Sequence, residues 1–166
     1  MTDFFISLFS GMPAWAESFL LAGMPLTESR LALPMALFAF GLSPTVAVVS
    51  TFLGNLLPIP IVFLLLPLLI VFLEKHSKTL ERWINLWFDV LRRKHADKYA
   101  KWGAVFLAIF VAVPWPGTGV WTGSVLAILF DIKAKIAIPA IVVGQAFSSL
   151  IVLCVSYGIF GGVKLL

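Results

Sequence analysis

The sequence places an acid and a base two residues apart in a segment that separates two apolar runs. Glu28 and Arg30 are the charged residues of segment 24–30. Burying charged side chains away from water costs free energy unless they are paired. Charged residues in apolar surroundings therefore indicate a function. A desolvated arginine is suited to holding an anion, and a neighbouring carboxylate can pair with it or carry a proton. Segment 24–30 is therefore a candidate binding site.

A second interruption, segment 114–119, reads Pro-Trp-Pro-Gly-Thr-Gly. Thr27 or Ser29 in the first interruption and Thr118 in the second stand where helices should begin, and they are favoured N-cap residues. Helix N-termini present free N–H groups that bind phosphates, although capping without a ligand is the alternative. The glycines should allow close backbone approach, and the prolines should fix the bend.

Polar residues also occur within the apolar segments. Asn55 and Gln145 are amides that either line a pathway or hydrogen-bond between helices. Glu17 is either a protonatable partner for Arg30 or a residue at the edge of its segment.

Composition defines the setting of these residues. Hydrophobic residues make up 61% of the chain and charged residues 12%, whereas soluble domains carry about 25% charged residues. Residues 45–73 contain no ionisable side chain, and 136–163 contain only Cys154 and Tyr157. Both exceed the roughly 20 apolar residues that a spanning helix needs. The pattern predicts an all-α integral membrane protein.

Positive charge is concentrated in residues 74–102, which hold eight of the twelve lysines and arginines. Such clusters mark the cytoplasmic side of a cell membrane. Residues 80–91 place apolar side chains at helical spacing, which predicts an amphipathic helix on the membrane surface. Interleaved acids and flanking membrane segments argue against nucleic-acid binding. The single cysteine excludes an intrachain disulfide, and the sequence shows no metal motif.

Four further apolar segments, residues 12–23, 31–42, 103–113 and 120–130, are too short to span a bilayer. Segments of about 10–14 residues suit re-entrant hairpins that enter and leave the membrane on one side. Each half thus reads as a hairpin followed by a long helix, with Gly54-Asn55 matching Gly144-Gln145. We expect a single membrane domain, 1–166, in which 1–73 and 103–166 are inverted repeats joined by 74–102.

Counting one crossing per half places residues 74–102 in the cytoplasm and both termini outside. An alternative topology has ordinary spans over residues 4–24, 31–49 and 51–73. In that case residues 27–30 would lie in a cytoplasmic loop, and the cost of burying their charges would vanish.

The strings PLTESRLALP (25–34) and PWPGTGVWTG (114–123) resemble the small multidrug export protein family, a distant relative of the DedA membrane proteins. The resemblance implies a fold of paired re-entrant hairpins and a role in export. DedA relatives are linked to the movement of lipid-phosphate carriers such as undecaprenyl phosphate. Gly117 follows Pro116 where DedA proteins usually have an acidic residue, so this resemblance does not transfer DedA site residues.

We therefore expect a multi-pass transporter of the cytoplasmic membrane, moving an amphipathic or anionic lipid-like substrate through a midplane site formed by the two hairpins. The expected substrate-binding residues are Thr27, Glu28, Ser29, Arg30, Pro116, Gly117, Thr118, Gly119, Trp121 and Thr122. Glu17, Asn55 and Gln145 are candidates for the pathway.

Two other functions are open, a polyprenyl-phosphate translocase and a non-transporting membrane adaptor. We expect no enzymatic activity, because the membrane segments hold no pair of acids and no nucleophile with a base. No cofactor is expected apart from a coupling proton or ion, and the expected partners are membrane lipids and a second copy in a homodimer.

Overall fold

The computed structural model describes residues 11–76, 102–115 and 117–163, and these residues form helices joined by short breaks. The predicted surface helix, residues 80–91, lies outside the described residues with the rest of 77–101, as do Pro116 and both termini. The helices are α1 (Ala14–Gly23), α2 (Glu28–Pro34), α3 (Pro44–Leu56), α4 (Pro58–His76), α5 (Trp102–Ala112), α6 (Val120–Leu129) and α7 (Ala134–Val163). A π-helical turn, Met35–Ala39, continues α2.

The hairpin of α1 and α2 follows from the placement of its prolines. α1 stops at Gly23, because Pro25 disfavours the helical conformation at Met24. Pro34 has no N–H for the carbonyl four residues earlier, and after it the helix widens into the π turn, where Phe40 N–H bonds to Met35 O at 2.9 Å. α2 then packs against α1. We call α1 and α5 the first arms of the two helical hairpins, and α2 with its π turn and α6 the second arms. The first break is segment 24–30 and the second break is segment 114–119.

Residues with positive φ end the second arm of each hairpin. Gly41 has φ of 65° and Asp131 has φ of 54°, which turns the chain out of the arm. Immediately afterwards Ala47 N–H bonds to Ser43 O, and Ala137 N–H bonds to Lys133 O, each at 2.9 Å. These bonds begin α3 and α7 in the same way.

Within the described part of the chain, two helical stretches are long and apolar enough to cross a membrane, Pro44–Phe72 and Ala134–Gly158. The first consists of α3 and α4, which meet at Leu57 because Pro58 cannot continue the hydrogen-bond pattern. Only 22% of its most apolar window is buried within the protein. Leu64, Leu65 and Leu68 are each at least 59% exposed, so this surface suits lipid better than water.

The described residues form two compact units. The first unit contains the described residues up to Leu56 and those from Ser149 onward. In it, α1 packs against α2 and α3 around Leu21, Ala22 and Ala32. The end of α7 packs on the second arm, where Val152 joins the core and Tyr157 meets Phe38 edge to face.

The second unit extends from Leu57 to Ser148. Its buried apolar residues include Leu107 and Val111 of α5, Val120 of α6 and Ile141 of α7. α4 packs against α6. Gly123 allows α6 to approach α5 closely, because a Cβ there would lie 2.6 Å from Cγ2 of Val111.

The burial pattern of residues 41–65 recurs, position for position, in residues 131–155. Gly54 and Gly144 show the same correspondence in their contacts. A Cβ at Gly54 would lie 1.9 Å from the carbonyl oxygen of Phe19 on α1, and one at Gly144 would lie 2.5 Å from that of Ala108 on α5. Each long helix therefore meets the first arm of its own hairpin at a glycine.

The structure confirms the predicted helical class and both long apolar helices. The four short apolar segments also form separate short helices, within a few residues of their expected bounds. A continuous span over 31–49 is wrong, because the helix ends at Ala39 and a new one begins at Pro44. The re-entrant path and the inverted repeat stay predictions.

Candidate functional site

Glu28 and Arg30 form an ion pair in the first unit. Arg30 Nη2 lies 3.6 Å from Glu28 Oε2, and the two side chains are 17% and 10% exposed respectively. This burial separates the pair from a surface salt bridge, whose contribution to stability is about 0–1 kcal/mol. The distance exceeds the ~2.7–2.9 Å of a close charge-assisted hydrogen bond. The pair is thus largely removed from solvent, with the two groups farther apart than in a close hydrogen bond.

The backbone at Glu28 explains how residues two apart can pair. Side chains at i and i+2 of a regular helix do not face each other. Glu28 has φ of 42°, in the left-handed region, just where α2 begins. A non-glycine residue there costs roughly 1–3 kcal/mol, and such residues often mark functional positions. The strained residue brings its carboxylate to Arg30.

Thr27 is the residue before the first turn of α2, as predicted, but its hydroxyl does not cap that helix. It donates a hydrogen bond to the carbonyl of Leu21 near the end of α1. The expected N-capping by this side chain is therefore wrong, because the carbonyl of Leu21, which also accepts the N–H of Met24 at 3.3 Å, provides a nearby acceptor in the last turn of α1. Thr27 instead ties the break to the first arm.

Ser29 connects the break to the first long helix. Asn55 Nδ2 donates a hydrogen bond of 3.2 Å to Ser29 Oγ, and both residues are about 1% exposed. Asn55 thus makes the bond between helices that was one of its two predicted roles. Ser29 lies inside the first turn of α2, not at its cap. Thr27, Glu28, Ser29, Arg30 and Asn55 together form a polar cluster in an apolar unit.

The second break is held by Thr118. Its O–H lies within hydrogen-bonding distance of two carbonyl oxygens, those of Val113 at 2.7 Å and Trp115 at 2.8 Å, and its one proton is shared between them. It stabilises the loop without capping α6, whose N-cap residue is Gly119, so the predicted cap is again wrong. Gly117 has φ of 86° and needs the freedom of glycine.

The other candidates fall in different places. Trp121 and Thr122 are half-buried in the first turn of α6, in the second unit. Gln145 is buried on α7 in the same unit, and Glu17 is half-buried in the first turn of α1. Pro116 lies outside the described residues.

Several buried serines were missed by the sequence analysis. Ser124 on α6 is fully buried, and within the described part of the chain its Oγ has no hydrogen-bond partner. Ser18 on α1 is also fully buried, and Ser50 on α3 is 6% exposed. Three more lie on α7, at Ser148, Ser149 and Ser156, each at most 3% exposed. The serines of α7 lie at helical spacing from Gln145, so all of them fall on one face of the helix. This pattern could have identified them from the sequence, but the high average hydropathy of the segment conceals it.

Comparisons with known proteins identify the family. The profile of the family described as "Putative small multi-drug export protein" matches residues 28–151. The match begins at Glu28, where α2 starts, and contains the second break, α3 and α4. No curated protein and no solved structure matched the chain. With three-quarters of its length matched and two apolar helices long enough to span a bilayer, the chain is a membrane protein and belongs to the small multi-drug export protein family.

Proposed function

We propose that the protein exports an amphipathic, anionic, lipid-like compound across the cytoplasmic membrane, with Arg30 binding the anionic group near the middle of the membrane. The observation that carries this proposal is the buried Glu28–Arg30 pair in the break between two short helices. A charged residue at membrane depth is costly and is usually tied to a transported substrate, ion or proton. The family name supports export, and we propose no catalytic step.

The short helices support a re-entrant path for the hairpins. α1 has 10 residues, which span about 15 Å at 1.5 Å per residue, half the thickness of a hydrocarbon core. If each hairpin returns to the side from which it entered, its break lies inside the membrane and each half of the chain crosses once. The halves then form an inverted repeat, with the basic segment in the cytoplasm and both termini outside.

The ion pair supports a mechanism in which the substrate replaces Glu28. The guanidinium and carboxylate lie 3.6 Å apart and attract each other, and the planar guanidinium suits a phosphate or carboxylate. An arriving anion takes the place of Glu28, and the carboxylate is neutralised by a proton. When the site opens to the other side, the anion leaves and the original pair forms again.

Flux through reconstituted liposomes tests this proposal. Arg30→Ala should reduce export of an anionic substrate to the level of empty liposomes, and Arg30→Lys should restore less than about a tenth of it, because bidentate geometry is lost. Lys135→Ala removes a positive charge at an exposed position on α7 and is the matched control. Normal flux in Arg30→Ala would refute the proposed site.

The choice of probe distinguishes the remaining functions. Parallel assays with a labelled polyprenyl phosphate, a labelled alkyl phosphate and a cationic dye separate three substrate classes. Flux of only the polyprenyl phosphate would indicate a lipid-carrier translocase, and flux of only the dye would remove the role of Arg30 as anion ligand. A folded protein that moves none of the three would favour the membrane adaptor.

A further inference from the structure

One buried acceptor in the polar cluster has no donor. Asn55 is 1% exposed, and its Nδ2 donates to Ser29. Its Oδ1 is buried and has no hydrogen-bond partner among the described residues. Leaving a buried acceptor unpaired costs about 1–3 kcal/mol. Such an atom usually indicates a missing water, a ligand, or another state in which it is paired.

The hydroxyl groups closest to Asn55 along α3 do not supply that donor. Thr51 Oγ1 donates to the carbonyl of Ala47 at 2.7 Å, and Ser50 Oγ donates to the same carbonyl at 3.2 Å. The donor for Asn55 must therefore come from another element or from a bound group.

Glu28 becomes a donor in the mechanism proposed above. When an anion binds Arg30, the carboxylate of Glu28 loses its positively charged partner. Glu28 is only 7% exposed, and such surroundings favour the neutral form of a carboxyl group. A proton from water on the open side then forms an O–H bond with the carboxylate. It returns to water when the anion leaves and Arg30 pairs with Glu28 again. A protonated carboxyl needs an acceptor, just as a carboxylate needs a donor.

We propose that Asn55 Oδ1 is the acceptor that stabilises protonated Glu28, whose carboxyl O–H donates a hydrogen bond to it. Ser29 adjoins Glu28 in the chain and already bonds to Asn55 at 3.2 Å. Asn55 is then a positioning residue that couples proton uptake to release of Arg30, and it joins this step to the first long helix. This inference rests on the proposed function and names its coupling ion as the proton.

A metal cation fits the cluster less well. Hard cations take about six oxygen ligands, whereas Glu28, Ser29 and Asn55 offer few side-chain oxygens. The amide N–H of Asn55 also points at Ser29 Oγ, so a cation at that hydroxyl would meet the positive end of the amide. A proton needs only the single acceptor that Asn55 leaves open.

Few other titratable groups lie on the elements packed around α2. Arg30 is on α2 itself, and Glu17 is half-buried on α1. The part of α7 in the same unit carries Cys154 and Tyr157, both exposed. α3 and the π turn contain no titratable side chain.

A comparison of stability with pH tests the inference without any substrate. Arg30→Ala removes the cation from Glu28 and so imitates the substrate-bound state. We expect the melting temperature of this variant in detergent to rise as pH falls from about 9 to about 5, because the folded state then binds more protons than the unfolded state. Glu28→Gln in the same background should abolish this rise, which assigns it to Glu28.

Asn55→Leu in the Arg30→Ala background should move the midpoint of the rise down by about one pH unit, the size expected when the neutral form loses one hydrogen bond. The matched control is Ser124→Ala, which removes another buried polar atom without a partner and should leave the midpoint unchanged. If Arg30→Ala is not monodisperse, Arg30→Gln provides the same comparison.

An unchanged midpoint in the Asn55→Leu variant would overturn the role of Asn55. The inference would also be overturned if the melting temperature of Arg30→Ala still rose with falling pH after Glu28→Gln is added. Neither result would affect the flux prediction for Arg30, so failure of this inference and failure of the proposed function are distinguishable. A midpoint that is lowered by Asn55→Leu but not by Ser124→Ala would support the inference.

Discussion

The glycines at which each long helix meets its hairpin give a quantitative prediction. A Cβ at Gly54 would lie 1.9 Å from the carbonyl oxygen of Phe19, while ordinary contact begins at 3.4 Å, so Gly54→Ala requires the two helices to separate by about 1.5 Å (3.4 − 1.9). The same difference at Gly144, against Ala108, is about 0.9 Å (3.4 − 2.5). Both obstacles are backbone atoms and cannot rotate away.

The two clashes should have different costs. Overpacking usually costs about 1–3 kcal/mol, whereas alanine gains up to about 1 kcal/mol over glycine in helix propensity. We expect Gly54→Ala to lose about 3 kcal/mol of unfolding free energy and Gly144→Ala about 1 kcal/mol. Gly158→Ala is the control, because nothing lies within 4 Å of its Cβ position on α7.

Unfolding of the purified protein in mixed micelles, followed by loss of helical circular dichroism, measures these differences. The expected order of stability is Gly158→Ala, equal to or above the parent protein, then Gly144→Ala, then Gly54→Ala. The packing argument fails if Gly54→Ala is as stable as the parent protein, or if Gly158→Ala loses as much as Gly54→Ala.

Two further predictions concern the breaks. Thr118→Val should lower the melting temperature by several degrees, because the carbonyls of the second break lose the hydroxyl that donates to them. Thr118→Ser keeps the hydroxyl and should restore stability. Equal melting temperatures for the two variants would contradict the role of the hydroxyl. In a protein without Cys154, a cysteine at Ser43 should react with an impermeant maleimide from outside the cell, whereas a cysteine at Ser29 should resist the reagent from either side of the membrane. Free reaction at position 29 in inside-out vesicles, where the reagent reaches the cytoplasmic side, would instead indicate the loop topology.

The bounds of the helices could be predicted because proline and glycine punctuate this sequence. Pro25 ends the first arm, and Gly41 and Pro44 separate the second arm from the long helix, each through a local backbone effect. The π turn after Pro34 was not predicted, since a proline near the start of a helix is compatible with several local responses. How the helix adjusts depends on what packs against it.

The partners of the polar side chains were harder to predict. Thr27 and Thr118 occur where N-caps occur, but a hydroxyl bonds to whichever acceptor is nearest, and here that acceptor is a carbonyl of the preceding arm or loop. The bond from Asn55 to Ser29 joins residues 26 apart in the chain. Sequence shows that both are polar in apolar segments, while only the folded chain brings them together.

The recurrence of burial between residues 41–65 and 131–155 bears on how this chain can change over evolutionary time. Positions with the same surroundings hold different residues, since Ile59 corresponds to Ser149 and Thr51 to Ile141. The degree of burial is thus shared at these positions, while side-chain size and polarity differ. If the two halves arose from a duplicated gene, each half could have acquired different side chains at positions that kept the same degree of burial.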